Sequence, residues 1–119
     1  MASIALIVDD DPAIRDYIRL VLQRENFEVL EADGGNPAWR IVETLGDSLT
    51  LIVTDIEMPN GDGLTFASAV RQVHPSVPII LTSGYSKPDT AFAFIEKPFS
   101  WATLVSVARK LAAAKIKAA

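Results

Sequence analysis

Cysteine is absent from this 119-residue chain, so it offers no disulfide framework, no thiolate nucleophile and no cysteine-based metal site. Basic residues are in the minority. Eleven Lys and Arg against fifteen Asp and Glu leave a net charge of −4, which argues against nucleic acid as a direct partner, because phosphate binding wants a basic patch. Long apolar runs are also missing. The longest are about five residues, such as Ile4 to Val8, too short to insert into or span a membrane. The N-terminus lacks the basic-then-apolar shape of a signal peptide, since acids follow the first apolar run at once, and a cytoplasmic location is expected. Internal repeats, linkers and low-complexity stretches are lacking, apart from an Ala/Lys-rich tail that is expected to fray. What remains is 50% hydrophobic and 22% charged, the profile of a globular chain rather than a disordered one. Its length suits a single domain over residues 1–119 with a core that needs no staples.

The apolar residues alternate between two periods. Ile4 to Val8 is a continuous β-rich run, as expected of a strand buried on both faces. Asp11-Pro12 reads as an N-cap and first helical position, followed by a stripe at Ile14, Tyr17, Ile18, Val21 and Leu22. Phe27 to Ala32 is a more mixed strand, expected near the sheet edge. Asp33-Gly34-Gly35 turns the chain, and Asn36-Pro37 repeats the cap signal before a helix that ends at Gly46. Leu51 to Thr54 predicts a third strand, Leu64 to Val73 a third helix, Val77 to Thr82 a fourth strand and Ala91 to Ile95 a fifth. Ser100 caps a last helix striped by Trp101, Leu104, Val105, Ala108 and Leu111. Strands alternating with helices mean an α/β fold, a doubly wound parallel sheet covered on both faces. In such sheets the functional site lies beside the carboxyl ends of the strands.

Asp9 and Asp10 end the first strand and Asp55 ends the third. If those strands are neighbours, the acids converge and repel by roughly 3–4 kcal/mol per pair at an effective dielectric near 20. A cation relieves this, and an all-oxygen set favours Mg²⁺. Solvated cap and turn acids are the plainer alternative, and Asp11 fits it. The fourth strand ends in Thr82-Ser83-Gly84 and the fifth in Glu96-Lys97-Pro98-Phe99, bringing a hydroxyl and an ammonium to the same rim. Singly, Ser83 is a turn residue and Lys97 a surface lysine. Together with the acids they suit phosphoryl chemistry, with one Asp as nucleophile.

Leu6-Ile7-Val8-Asp9-Asp10-Asp11-Pro12, Thr54-Asp55-Ile56-Glu57-Met58-Pro59-Asn60-Gly61-Asp62-Gly63, Pro78-Ile79-Ile80-Leu81-Thr82-Ser83-Gly84 and Glu96-Lys97-Pro98-Phe99 together closely resemble the receiver domain of two-component response regulators. The match covers essentially the whole chain. It implies a five-stranded, flavodoxin-like sheet in the order 2-1-3-4-5. It also implies that Asp55 accepts a phosphoryl group from the phosphohistidine of a histidine kinase or histidine phosphotransfer protein. Asp9, Asp10, Asp55 and the backbone carbonyl of Glu57 are then the Mg²⁺ ligands. Lys97 binds phosphate, Ser83 is the switch hydroxyl and Phe94 the switch aromatic, and Lys97–Pro98 is cis as in relatives. Such a domain signals rather than acting as an enzyme, either on a downstream protein or on an attached kinase or output domain. Glu57 and Tyr85 match positions flanking the path of the hydrolytic water, where they are expected to slow dephosphorylation.

One stretch departs from the family. Between Gly84 and the fifth strand lie only residues 85–90, or 85–92 with Ala91-Phe92 included, where a crossover usually takes at least about ten to twelve residues, and Pro88 opposes a helix there. The fourth helix of the family is therefore expected to be missing or cut to about one turn. Trp101 is expected to pack under that shortened loop, with a partner contact as the alternative, and Trp39 to be half exposed. His74, before Pro75, suits a charge at a helix C-terminus better than a phosphorelay histidine. Two rival functions remain. One is a pseudo-receiver that binds partners without phosphorylation. The other is a small phosphatase with Asp9 as nucleophile, since Asp9-Asp10-Asp11 resembles the D-x-D of haloacid-dehalogenase-type enzymes, although that leaves Asp55 and Lys97 unexplained.

Overall fold

In the computed structural model, which describes residues 3–118, every predicted strand forms. The order along the chain is β1 Ser3–Val8, α1 Pro12–Arg24, β2 Phe27–Ala32, α2 Gly35–Leu45, a 3₁₀ turn Gly46–Ser48, β3 Leu51–Asp55, α3 Gly63–Val73, β4 Ile79–Ser83, β5 Ala93–Glu96 and α4 Trp101–Ala118. All strand pairs are parallel, in the order β2-β1-β3-β4-β5. The tail expected to fray continues α4 to Ala118, and Ala119 lies outside the described residues.

Strand side chains point alternately to opposite faces, so one buried run serves two cores. Leu6, Val8, Ile52, Ile79 and Leu81 face α2 and α3, where Ala38, Val42, Phe66, Ala67 and Val70 meet them. Ala5, Ile7, Leu51, Val53 and Ile80 face α1 and α4, against Ile18, Val21, Leu22, Leu104 and Ala108. Beyond β1 the chain turns one way to β2, then returns across to β3. The crevice between the ends of β1 and β3 is therefore the switch point of the sheet.

The α1 cap is as read: Asp11 accepts from the Ala13 amide at 2.9 Å, with Pro12 in the first turn. Ser100 likewise accepts from the Thr103 amide. The α2 start differs from expectation. The helix begins at Gly35, ahead of Asn36-Pro37, and its Gly34 cap makes no side-chain bond. Its first amides instead donate to carbonyls of the β3–α3 loop, Gly35 to Gly61 at 3.0 Å and Asn36 to Asn60 at 3.3 Å. A Cβ on Gly34 would lie 2.2 Å from the Asn60 carbonyl oxygen, so this approach needs glycine.

Residues 84–92 contain no helix, as the short crossover and Pro88 require. Phe92 buries itself in the α2/α3-side core instead, with the Arg71 guanidinium 4.4 Å over its ring. Trp101 corrects the sequence reading. It does not pack under this loop but lies edge-on to Tyr17 of α1 at 6.2 Å, with the Arg24 guanidinium 5.0 Å over its ring. Its place in the first turn of α4 puts it beside α1, and a large apolar ring gains more there than under a short polar loop. Trp39 is partly buried, and His74 caps α3, its Nδ1 3.1 Å from Asp47 Oδ1. Among the described residues, no helix is long and apolar enough to cross a membrane.

Candidate functional site

Parallel pairing of β1 with β3 brings the three acids together. A carboxylate oxygen from each of Asp9, Asp10 and Asp55 lies within 4.8 Å of the others. Asp9 and Asp55 are buried, at 1% and 5% exposure, while Asp10 faces outward. Asp9 is held from every side. Its amide donates to the Ala32 carbonyl at 3.1 Å, its Oδ1 accepts from the Asp11 amide at 2.9 Å, and its Oδ2 accepts from Lys97 Nζ at 2.9 Å. Arg15 donates to the Asp9 carbonyl at 2.6 Å while also pairing with Glu31.

Sequence reading missed Arg15. Its one signal is a cation in the first turns of a helix, where the macrodipole disfavours positive charge unless an acceptor waits there. Gly63 was also unread as part of the site. A Cβ there would come within 1.8 Å of the Asp55 carbonyl oxygen, and its amide donates to Ile56 at 2.9 Å, folding the loop 56–62 back over the strand end.

Lys97, just past β5, reaches both buried acids, with Nζ 3.3 Å from Asp55 Oδ1. That contact is a charge pair without hydrogen-bond geometry, so Asp55 Oδ1 is a buried oxygen with no hydrogen-bond donor. Burial first, then the charge of Asp9, push the Asp55 carboxyl up to about 6; Glu57 adds to this and Lys97 opposes it. Burial alone would push the Lys97 ammonium down, but the hydrogen bond and charge of Asp9, with Asp55 behind them, hold it above its ordinary value. The Lys97–Pro98 peptide is cis, as expected.

Ser83 is the last residue of β4 rather than the first beyond it. Its carbonyl accepts from the Lys97 amide at 2.7 Å, which ties it to the acid cluster. Its hydroxyl donates to the Glu57 carboxylate, at 2.8 and 3.0 Å to the two oxygens, and accepts from the Tyr85 amide at 3.0 Å. The Tyr85 ring stands 71% exposed. Phe94, beside Leu81 on β5, is half-buried against the α2/α3-side core, apart from the acids.

The rim thus brings together three carboxylates able to hold a metal ion, a lysine bridging two of them and a hydroxyl on the next strand end. The family model for the response regulator receiver domain matches residues 5–109. The chain belongs to the response regulator receiver domain family.

Among its relatives, the sensor kinase CckA of Brucella abortus is 32% identical over 92% of this receiver domain. The DNA-binding transcriptional regulator NtrC of Azospirillum brasilense is also 32% identical over 92%. The receiver spans only 12% and 24% of those two proteins. Among solved structures, the response regulator TrrA of Thermotoga maritima in complex with Mg²⁺-BeF is 31% identical. That match covers 92% of this receiver and 98% of that chain, with a TM-score of 0.84. The receiver fold, its sheet order and its place in two-component signalling follow from this membership.

Proposed function

We propose that this receiver, a single domain over residues 1–119, takes a phosphoryl group onto Asp55 from the phosphohistidine of a histidine kinase or histidine phosphotransfer protein. The observation that carries this reading is the buried Asp55 Oδ1, ion-paired with Lys97 at 3.3 Å and facing two more carboxylates, with no other donor satisfying it. A carboxylate oxygen with a free lone pair is a nucleophile in waiting. It attacks phosphorus, the new O–P bond forms as the N–P bond to histidine breaks, and the imidazole leaves with that electron pair.

The donor set fits Mg²⁺: hard oxygens with no His or Cys, and an orphaned buried oxygen among them. Asp9, Asp10, Asp55 and the backbone carbonyl of Glu57 are its proposed ligands, and TrrA, solved in complex with Mg²⁺-BeF, supports Mg²⁺ as the ion. Bound there, the ion supplies positive charge to the phosphoryl oxygens. Lys97 offsets a further part of the incoming charge, about −1.5 to −2. The Ser83 hydroxyl donates to a phosphoryl oxygen, and Phe94 moves into the room this vacates, turning a charge event into a repacking.

The domain catalyses only its own phosphorylation and dephosphorylation, and we assign it a cytoplasmic signalling role without direct nucleic-acid contact or membrane insertion. Its output passes to a downstream protein, or to a kinase or output domain in the same polypeptide, as the two longer relatives illustrate. Incubation with acetyl phosphate and Mg²⁺, followed by intact-mass measurement, tests the reading. One phosphate adduct is expected in the wild type and none in Asp55→Asn. An equal adduct in both, or none in the wild type when Mg²⁺ binding is demonstrated, contradicts it.

A further inference from the structure

The Ser83 hydroxyl has a single proton, and in this structure that proton is committed to Glu57. The carboxylate accepts it at 2.8 and 3.0 Å, while one of the two hydroxyl lone pairs accepts from the Tyr85 amide at 3.0 Å. Hydroxyls carry one donor, so Ser83 cannot serve Glu57 and a phosphoryl group on Asp55 together. We infer that the Glu57 carboxylate is a positioning group that holds the Ser83 hydroxyl in the resting state and competes with the Asp55-bound phosphoryl group for it. The inference rests on Asp55 being the phosphoacceptor.

The burial of the two partners sets the direction of the exchange. Ser83 is 1% exposed, so its hydroxyl must find a protein or ligand acceptor at all times. Glu57 is exposed, so water takes over its oxygens once the hydroxyl leaves. The Ser83 main chain stays pinned by the Lys97 amide on its carbonyl, so the hydroxyl changes acceptor without β4 moving. The proton stays on Ser83 Oγ throughout; only its acceptor changes. Glu57 thus weights the equilibrium toward the unphosphorylated arrangement by the worth of one charge-assisted hydrogen bond at a half-wet site. Nothing in the sequence signals this, because Glu57 and Ser83 sit on separate strand ends that the sheet brings together.

The test is a calorimetric titration of beryllofluoride, a phosphoryl mimic, at saturating Mg²⁺. It compares the wild type, Glu57→Ala, Glu57→Gln, Ser83→Ala and the Glu57→Ala/Ser83→Ala double variant. Glu57→Ala is expected to tighten beryllofluoride binding by about threefold to tenfold, since a modest hydrogen bond to a charged group no longer competes. Glu57→Gln, which keeps an acceptor and loses the charge, is expected to fall between. In the Ser83→Ala background the Glu57→Ala effect is expected to shrink below about twofold, the coupling a double-mutant cycle reads. Unchanged or weaker binding in Glu57→Ala overturns the inference. So does equal tightening in both Ser83 backgrounds, which assigns the effect to charge repulsion alone. A wild type that binds Mg²⁺ but no beryllofluoride fails earlier, at the phosphoacceptor reading itself, and so the two failures are told apart.

Discussion

Asp55 shows how one residue carries both function and cost. Its carboxyl is pushed up to about 6 by burial and by Asp9, so in the metal-free protein ionising it opposes folding. Below about pH 4 the group is protonated in folded and unfolded chains alike, and the shift contributes nothing. Between about pH 4 and 6 the unfolded chain ionises first and stability is lost; above about 6 the whole penalty is present. Asp55→Asn is therefore expected to stabilise the metal-free domain by about 1–3 kcal/mol at pH 8 and by little at pH 4. Denaturant titrations in a chelator at the two pH values check this, and an equal gain at both contradicts it. Lys97 offers the converse case. With its side chain on Asp9 and Asp55, Lys97→Met leaves two buried acids facing each other. A loss of about 1–3 kcal/mol is expected in chelator, a partly solvated version of breaking a buried pair. The loss is expected to narrow when Mg²⁺ is added. A loss of the same size with and without Mg²⁺ would count against an ion sharing this pocket.

At the scale of elements, what the sequence reveals depends on how local the cause is. Asp11-Pro12 and Ser100 act on amides two or three residues away, and both caps are readable. The positions of β1, β3 and β4 were readable because burial on both faces demands unbroken apolar runs, although β4 and β5 each start two residues and end one residue later than expected. The α2 start was not readable, because its amides are satisfied by carbonyls of residues 60 and 61, far along the chain. Trp101 was misplaced for a related reason: its partner Tyr17 lies on a helix at the other end of the sequence. The α2–loop contact yields its own test. Gly34→Val is expected to destabilise the fold by about 2–4 kcal/mol, since its Cβ meets a backbone oxygen that no side-chain rotation can clear. Gly84→Val, with nothing within 4 Å of its Cβ, is expected to cost far less. Equal losses in urea titrations would show that the α2–loop approach is loose.

Across the whole molecule, the fold and the site were legible to different depths. Residue types at the strand ends, together with family resemblance, pointed to Asp9, Asp10, Asp55, Ser83 and Lys97, and the sheet order brings their elements to one rim. What the sequence could not disclose was how these groups are tied: Arg15 on the Asp9 carbonyl, Lys97 across two acids, Ser83 on Glu57. Those are contacts between separate elements, fixed by packing and not by spacing. The absence of a helix over residues 84–92 also belongs to this scale. It leaves Phe92 and Arg71 covering the core where a helix would otherwise lie, so the surface beside β5 has its own shape.

The most direct test of the account is to locate the phosphoryl group itself. Phosphorylated protein is reduced with borohydride, which converts an acyl phosphate to an alcohol, then digested and its peptides sequenced by mass spectrometry. Homoserine is expected at position 55 and nowhere else. Its appearance at position 9, where Asp9 is instead held by Lys97 and the Asp11 amide, would contradict the account and favour a phosphatase-like nucleophile.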